Sequence, residues 1–206
     1  MIMAIDVSNT NITLGTFKGE KLLKIYRVTT KVPRTSDEYG VLLRDLVRLS
    51  NASHHDIEGV IIASVVPNVM YSLTNACIKY FHVHPVIVGP GVKTGVKVGA
   101  ENPKEAGSDL IVNAAAVKEL YGVPAIVIDY GTATSYQLVL EDGKLDSVVI
   151  APGIQTSVQA LTSDAARIPE VEIRKPKTIL TKDKQSAFRP ESCTVPLERR
   201  NTLSAR

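Results

Sequence analysis

Apolar and polar positions alternate at the start of this chain in a way that predicts three successive strands. The strands cover residues 1–6, 11–17 and 21–28, with short polar turns between them. A helix is predicted next, because Thr35 and Glu38 have the spacing of a capping box. The apolar residues between Tyr39 and Leu49 then recur at helical spacing.

A buried strand and a second helix follow. Residues 59–64 are almost continuously apolar, which is typical of a strand in a parallel sheet that is covered on both faces. Pro67 suits the first turn of a helix that extends to about Phe81. A short strand is predicted over residues 85–88. The first half of the chain therefore has the predicted order β-β-β-α-β-α-β.

The second half of the chain repeats this pattern. The predicted elements are a helix over residues 110–121, strands over 124–129, 134–141 and 144–150, and a helix over 154–161. Apolar strands end in Asp6 and Asp129, and a Lys-Leu pair follows a turn at Lys21 and Lys144; both pairs of positions are 123 residues apart. Because an internal repeat describes architecture, we predict an α/β fold with two related halves.

The two repeated hairpin tips, residues 6–11 and 129–134, carry the candidate chemistry. Each tip places hydroxyl, amide and backbone N–H groups around one carboxylate. Such groups donate hydrogen bonds to phosphate oxygens, while the carboxylate holds a cation directly or through water. Asp, Ser and Asn also occupy ordinary turns for backbone reasons, so a plain turn is the alternative for either tip alone. The repetition favours a nucleotide held by two phosphate-binding hairpins.

Composition narrows the class of protein further. The chain has 206 residues, of which 44% are hydrophobic, and this suffices for a packed core in one large or two small domains. The net charge is +3, and residues 182–206 alone contribute six basic and three acidic residues, so the rest of the chain is neutral. Aromatic residues are few, and nucleic-acid binding therefore has little support.

Sequence signals for a membrane or for secretion are also missing. No apolar run approaches the length of a membrane span, and the N-terminus has the pattern of a strand without a signal peptide. Cys77 and Cys193 are far apart and lack the spacing of metal ligands. We therefore expect a reduced, cytoplasmic protein.

Five short motifs occur in a fixed order along the chain. They are Asp6-Val7-Ser8-Asn9-Thr10-Asn11-Ile12-Thr13, Gly89-Pro90-Gly91-Val92-Lys93-Thr94-Gly95, Asn102-Pro103 with Gly107-Ser108-Asp109, Asp129-Tyr130-Gly131-Thr132-Ala133-Thr134, and Ala151-Pro152-Gly153-Ile154. In this order and spacing, over residues 1–188, the set resembles the type III pantothenate kinases of the acetate and sugar kinase/actin superfamily.

The resemblance implies a fold and a reaction. The fold is a duplicated ribonuclease H-like α/β fold, in which each half is a mixed sheet with three antiparallel strands plus parallel strands and helices, the second half being incomplete. The implied reaction is the ATP-dependent phosphorylation of pantothenate to 4'-phosphopantothenate, the first step of coenzyme A biosynthesis. The resemblance further implies Mg²⁺, a monovalent cation (K⁺ or NH₄⁺) and a homodimer.

The resemblance also assigns roles to residues of this chain. The residues that match ATP contacts are Asp6, Val7, Ser8, Asn9, Thr10, Asn11, Ile12, Thr13 and Thr132. The residues that match pantothenate contacts are Ala100, Gly107, Ser108, Asp109, Leu110 and Lys184. Asp109 matches the catalytic proton acceptor, Asp129 the potassium ligand, and Asp6 lies near Mg²⁺. From spacing alone, Asp109 could equally be the N-cap of the helix that follows it.

Four positions depart from the pattern of the family. Ser8 replaces a usual Gly, whose lack of a side chain allows positive φ and a close approach to phosphate. Ala100 stands where many members have an aromatic residue, Leu110 where many have Arg, and Lys184 near an expected Thr. These departures favour, as the alternative function, a nucleotide-binding regulatory relative that lacks kinase activity.

The end of the chain departs most. Residues 189–206 have no helical or alternating period and are interrupted by Pro190 and Pro196. We expect a C-terminal truncation or frameshift there, and an inactive truncated copy is the corresponding alternative. The predicted domain organisation is residues 1–117 for the first half with the ATP-phosphate loop, 118–188 for a partial second half, and 189–206 for an atypical tail.

Overall fold

The structure, a computed structural model, describes residues 1–89, 92–99 and 105–164 of the chain. The first elements are β1 (Ile2–Val7), β2 (Asn11–Lys18), β3 (Lys21–Thr29), α1 (Ser36–Arg48), β4 (Gly59–Ser64), α2 (Pro67–Phe81) and β5 (Val86–Ile87). This order confirms the predicted one. The capping box of Thr35 and Glu38 is present, and Pro67 opens α2, which ends at the predicted Phe81.

The first sheet has the strand order β3-β2-β1-β4-β5. Strands β1, β2 and β3 form an antiparallel meander, whereas β4 pairs in parallel with both β1 and β5. Parallel pairing of β1 with β4 requires a crossover connection, and α1 provides it. The sheet therefore combines three antiparallel strands with parallel ones, as the ribonuclease H-like pattern requires.

Helices α1 and α2 cover one face of this sheet. The alternation of β1 points Met3, Ile5 and Val7 into that core, where each is at most 2% exposed. The core also contains Ile12, Leu14, Tyr39, Leu43, Val47, Val60, Ile62, Leu73, Ala76, Cys77 and Phe81. Full burial of one large aliphatic side chain contributes roughly 1.5–3 kcal/mol, so this cluster supplies most of the driving force for folding of the first sheet.

Close contact between α1 and α2 depends on one glycine. Gly40 lies against the ring of Tyr80, and a methyl group at position 40 would overlap that ring. Beside this contact, Asp37 accepts hydrogen bonds from Lys79 at 2.6 Å and from the Tyr80 hydroxyl at 2.8 Å. These bonds lower the pKa of Asp37, with the larger effect from Lys79.

The opposite face of the first sheet carries Asp6 and a different set of apolar groups. There Ala63 and Val88 pack against Ile111 of a later helix. The rest of this face lines a cavity of about 300 Å³, whose walls include Ala4, Asp6, Thr13, Gly15, Phe17 and Ile61. One face of β1 therefore packs into the apolar core, and the other face carries Asp6.

The second group of elements forms another mixed sheet. Its elements are β6 (Lys97–Val98), α3 (Ser108–Leu120), β7 (Ala125–Tyr130), β8 (Ala133–Val139), β9 (Lys144–Pro152) and α4 (Ile154–Asp164). The strand order is β6-β9-β8-β7, with β6 parallel to β9. The prediction of three strands and a helix after residue 124 is confirmed, whereas the two-residue strand β6 was not predicted. None of the described helices has the length and apolar character needed to cross a membrane.

The described residues form two compact units. The first unit comprises Met1–Ala125 and Leu138–Ser147, and the second comprises Ile126–Gln137 and the described residues from 148 onward. The loop after β1 and the start of α3 belong to the first unit, and the loop after β7 belongs to the second. The domain boundaries predicted at residues 117 and 188 stay a prediction.

We expect acid to weaken the first unit at the short 3₁₀ turn His54–Asp56. Burial lowers the pKa of His54 below its usual 6.5, and the positive charges of His55, Arg44 and His82 lower it further. Because the fold favours the neutral imidazole, this contribution to stability is complete above about pH 6.5 and is lost as the pH falls through the lowered pKa. The variant His54→Gln should therefore lose less unfolding free energy than the parent chain between about pH 7 and pH 5.

Urea denaturation at each pH measures this difference. The matched control is His84→Gln, because His84 is an exposed histidine outside the turn. The control should keep the pH dependence of the parent chain. Equal pH dependence in the parent and in His54→Gln would contradict the expectation.

Candidate active site

The site in the first unit begins where two parallel strands end side by side. In the register of β1 and β4, Asp6 lies beside Ala63 and Val7 beside Ser64. The Val65 N–H donates to the Val7 carbonyl at 3.1 Å, which continues this pairing past the end of β4. Because parallel strands carry their carboxyl ends at the same sheet edge, the loops that follow β1 and β4 leave from one place.

The loop after β1 is a tight turn from Ser8 to Asn11. The Ser8 N–H donates to the Asn11 carbonyl at 2.9 Å, and the Ser8 hydroxyl donates to the Asp6 carboxylate at 3.1 Å. Asp6 therefore has one carboxylate oxygen held by the turn that it precedes. The turn presents hydroxyl, amide and backbone N–H groups at the end of the strand, a donor set that suits phosphate oxygens.

Ser8, which stands where the family usually has Gly, does not need the positive φ that a glycine would allow. Among the described residues, only Asn51 and His82 have positive φ without being glycine. Ser8 therefore adopts a conformation open to any L-residue, and no backbone penalty follows from the missing glycine. Its side chain is used within the turn, on Asp6.

The start of α3 is anchored to the end of β4. The Ser108 hydroxyl, almost fully buried, donates to the Ser64 carbonyl at 2.9 Å. Ser64 is in register with Val7, so this bond links the first residue of α3 to β4, the strand beside β1 and the turn that follows it. Further along α3, Ile111 packs against Ala63, the register partner of Asp6.

Asp109 is the second residue of α3 and not its N-cap. The helix begins at Ser108, two residues earlier than predicted, with Gly107 as a cap that makes no side-chain hydrogen bond. The Asp109 carboxylate accepts the Leu110 N–H at 2.9 Å. A carboxylate in the first turn is stabilised by the partial positive charge of the helix N-terminus. Asp109 therefore stabilises the start of α3 from within its first turn, and the N-cap alternative is wrong. That role is compatible with a chemical one.

An apolar cavity in the first unit is lined by residues of both β1 and α3. Its walls include Asp6 and Thr13 from the paired strands β1 and β2, and Val112 from the first turns of α3. Asp6 and Val112 thus border the same space of about 300 Å³.

In the second unit, the loop after β7 is held by its own helix. Gly153, which precedes α4, donates its N–H to the Thr132 carbonyl at 3.0 Å, and the Thr156 hydroxyl donates to the same oxygen at 2.7 Å. A methyl group at Gly153 would overlap the carbonyl oxygen of Gly131. The motif Pro152-Gly153-Ile154 therefore matters because the backbone of the loop packs directly on it.

A second polar feature of this loop is the hydroxyl of Thr134. Thr134 is 2% exposed, and its oxygen has no hydrogen-bond partner in the structure. It is the second residue of β8, the strand that follows the loop, and lies five residues after Asp129 in the sequence. An unsatisfied buried oxygen beside a carboxylate-bearing loop suits a hard cation, which takes hydroxyl, carbonyl and carboxylate oxygens as ligands.

Two predicted substrate contacts, Ala100 and Lys184, lie outside the described residues, as do residues 102–103 and the tail 189–206. Residues that the sequence analysis missed are Thr30 and Thr156, whose hydroxyls donate to loop carbonyls. No sequence signal beyond a Thr near the end of a strand or the start of a helix pointed to them.

Other chemistries have little basis in the described residues. Within them, no group of three or more His, Cys, Asp or Glu side chains could hold a metal ion. Burial raises the pKa of the Cys77 thiol to about 12, which leaves it protonated and unreactive.

Comparison with known proteins agrees with the fold. The structure resembles a chain from Campylobacter jejuni described as a Baf family transcriptional activator, with a TM-score of 0.55 and 12% identity, over 97% of this chain and 78% of that one. The sequence is 52% identical to the type III pantothenate kinase of Agathobacter rectalis over 183 residues, 89% of this chain and 70% of the relative. It is 49% identical to that of Halalkalibacterium halodurans over 180 residues, 87% of this chain and 71% of the relative.

In each of the two sheets, one strand carries an Asp near its end and leads into a hairpin loop. Two mixed sheets of this kind define an α/β protein of the predicted ribonuclease H-like class. The sequence model for type III pantothenate kinase matches residues 2–190. The chain belongs to the type III pantothenate kinase family.

We expect the variant Gly153→Ala to displace the loop of the second unit. The added methyl group meets the Gly131 and Thr132 carbonyls, which are backbone and cannot turn away, so the loop itself must shift. Overpacking of this kind costs typically about 1–3 kcal/mol. Thermal unfolding should show a lower midpoint, and hydrogen exchange should be faster at residues 129–134.

The matched control is Gly131→Ala in the same loop. A methyl group there would approach only the Ala133 carbonyl, at 3.4 Å, and Gly131 does not have positive φ. This variant should keep the unfolding midpoint of the parent chain. A similar loss in both variants, or in neither, would show that the Gly153 contact is not critical.

Proposed function

We propose that this protein catalyses the phosphorylation of pantothenate by ATP, which commits pantothenate to coenzyme A synthesis. Membership of the type III pantothenate kinase family supports the reaction. The structural observation that carries the proposal is the anchoring of Ser108 to Ser64, at the strand end beside the turn after Asp6. Phosphoryl transfer needs positioning and charge neutralisation. This arrangement supports the positioning of the acceptor segment beside the phosphate loop.

The phosphate side of the reaction is assigned to the first loop and to Thr132. In this proposal, residues 6–13 bind the ATP phosphates, as their match to the phosphate loop of the family implies. Asp6 holds Mg²⁺ directly or through water, because Mg²⁺ in kinases takes one or two carboxylates and completes its coordination with phosphate oxygens. The bond from the Ser8 hydroxyl supports this role, since it fixes the Asp6 carboxylate in one orientation.

The acceptor side is assigned to the start of α3. Gly107, Ser108 and Leu110 contact pantothenate together with Ala100 and Lys184, and Asp109 accepts the proton. The oxygen of the primary hydroxyl attacks the γ-phosphorus, the bond from that phosphorus to the β–γ bridging oxygen breaks, and ADP leaves with the electron pair. The hydroxyl proton passes to Asp109. An ordinary carboxylate suffices, since the proton becomes acidic late in the transfer.

A monovalent cation is assigned to Asp129 in the second loop. K⁺ or NH₄⁺ bound there would neutralise negative charge on the nucleotide. The buried, unpartnered hydroxyl of Thr134 supports a cation at this loop. We further propose a homodimer in the cytoplasm, as the family resemblance implies.

A coupled assay of ADP release tests the proposed function. The purified 206-residue chain is incubated with MgATP, with and without pantothenate, first in potassium and then in sodium. We expect ADP release that requires pantothenate and is faster in potassium. Binding of ATP without any response to pantothenate would instead support a nucleotide-binding regulatory protein.

We expect Asp109→Asn to slow phosphoryl transfer strongly and to leave ATP binding unchanged. The amide cannot accept the hydroxyl proton, and loss of a general base typically costs about 10²–10⁴-fold in kcat. Its oxygen can still accept the Leu110 N–H, so α3 should keep its first turn. Single-turnover kinetics and calorimetric titration with MgATP measure the two quantities.

The control for the loss of one negative charge is Asp45→Asn, on the exposed side of α1. It should keep the kcat of the parent chain. An Asp109→Asn variant with at least a third of the parent kcat would remove Asp109 from the role of proton acceptor.

A further inference from the structure

We propose that Thr30 is a positioning residue for nucleotide binding, which holds the turn after β1 in the conformation that receives phosphate. This inference rests on the proposed function, because it assigns a support to the same loop. Thr30 directly follows β3 and belongs to none of the motifs that carry the family resemblance. It is 8% exposed, so its hydroxyl needs a partner within the protein.

Thr30 holds the turn at two carbonyl groups. Its hydroxyl donates to the Ser8 carbonyl at 2.8 Å, and its backbone N–H donates to the Thr10 carbonyl at 3.0 Å. These carbonyls lie two residues apart, so the two bonds hold the backbone on both sides of Asn9, at the tip of the turn. The backbone bond extends the pairing of β2 with β3, whose last partners are Asn11 and Thr29.

Fixing a carbonyl also fixes the neighbouring N–H group. A trans peptide is planar, and its C=O and N–H point in opposite directions. When the Ser8 carbonyl is directed at Thr30, the Asn9 N–H is therefore directed away from β3. Backbone N–H groups with a set direction form the kind of concave anion site that phosphate requires.

The same residue reaches Asp6 through Ser8. The Ser8 carbonyl accepts from Thr30, and the Ser8 hydroxyl donates to the Asp6 carboxylate. Thr30 thus supports a short series of hydrogen bonds that ends on the carboxylate assigned to Mg²⁺. Thr30 is itself held in place, because Arg34 donates to the carbonyl of the preceding Thr29 at 2.9 Å.

The experiment compares three single variants of the full chain. Thr30→Val keeps the shape and the backbone bond but removes the hydroxyl donor. Thr30→Ser restores the donor without the methyl group. Thr16→Val makes the same chemical change elsewhere in the sheet, at a fully buried Thr whose hydroxyl donates to Ser50 at 3.0 Å. It controls for a general loss of stability.

Three measurements are made on each variant. They are the dissociation constant for MgATP by calorimetry, kcat and KM in the ADP-release assay, and hydrogen exchange at residues 8–11. We expect Thr30→Val to raise the dissociation constant and KM for ATP about tenfold, which corresponds to about 1.4 kcal/mol. Loss of one hydrogen bond to a part-buried carbonyl is of this size. Exchange at residues 8–11 should accelerate.

Thr30→Ser should lie within about threefold of the parent chain in ATP affinity, less than half of the 1.4 kcal/mol that a tenfold change represents. Thr16→Val should unfold at a lower temperature, with the parent's ATP affinity. Thr30 would be only structural if Thr30→Val lost thermal stability as Thr16→Val does and kept the parent's ATP affinity and loop exchange. Failure of Thr30→Ser to restore ATP affinity would also overturn the inference.

The two proposals fail separately. A parent chain that binds MgATP but releases no ADP in response to pantothenate overturns the proposed function. The role of Thr30 is then still decided by the dissociation constants and by exchange at the turn. A parent chain that binds no MgATP overturns both proposals.

Discussion

The parallel pairing of β1 with β4 is the constraint on which the candidate site depends. It sets Asp6 beside Ala63 and Val7 beside Ser64, and so fixes which loops share a sheet edge. The start of α3, which is assigned to the acceptor side, is then linked to β4, because Ser108 is bonded to Ser64. The turn after β1 and the first residue of α3 are thereby linked to adjacent strands of one sheet.

Hydroxyl groups bonded to backbone carbonyls recur at each functional segment. Thr30 donates to Ser8, Ser108 to Ser64, and Thr156 to Thr132. In each case the hydroxyl of a short side chain donates a hydrogen bond to a carbonyl oxygen at a strand end or in a loop. At Ser8, this bond directs the neighbouring Asn9 N–H to the opposite side of the peptide plane.

The sequence was sufficient for the elements and insufficient for the contacts. Periodicity, the capping box at Thr35 and the proline at position 67 placed the strands and helices of the first sheet within a residue or two. The start of α3 was misplaced because Gly107 gives no capping signal and Ser108 is held by a tertiary bond to Ser64. Strand β6 has two residues and no period, and the role of Thr30 exists only once β3 lies beside β2. Such features arise from pairing between distant segments, which local patterns do not encode.

The packing of Gly40 against Tyr80 has a consequence for anyone engineering this enzyme. A glycine inside a helix costs about 1 kcal/mol relative to alanine, and replacing it is a standard route to a more stable protein. Here the vacancy at position 40 is filled by the ring of the neighbouring helix, so the usual substitution would drive α1 and α2 apart. Stabilisation of this chain by consensus or propensity rules should therefore treat positions 40 and 80 as one unit of design, changed together or left alone.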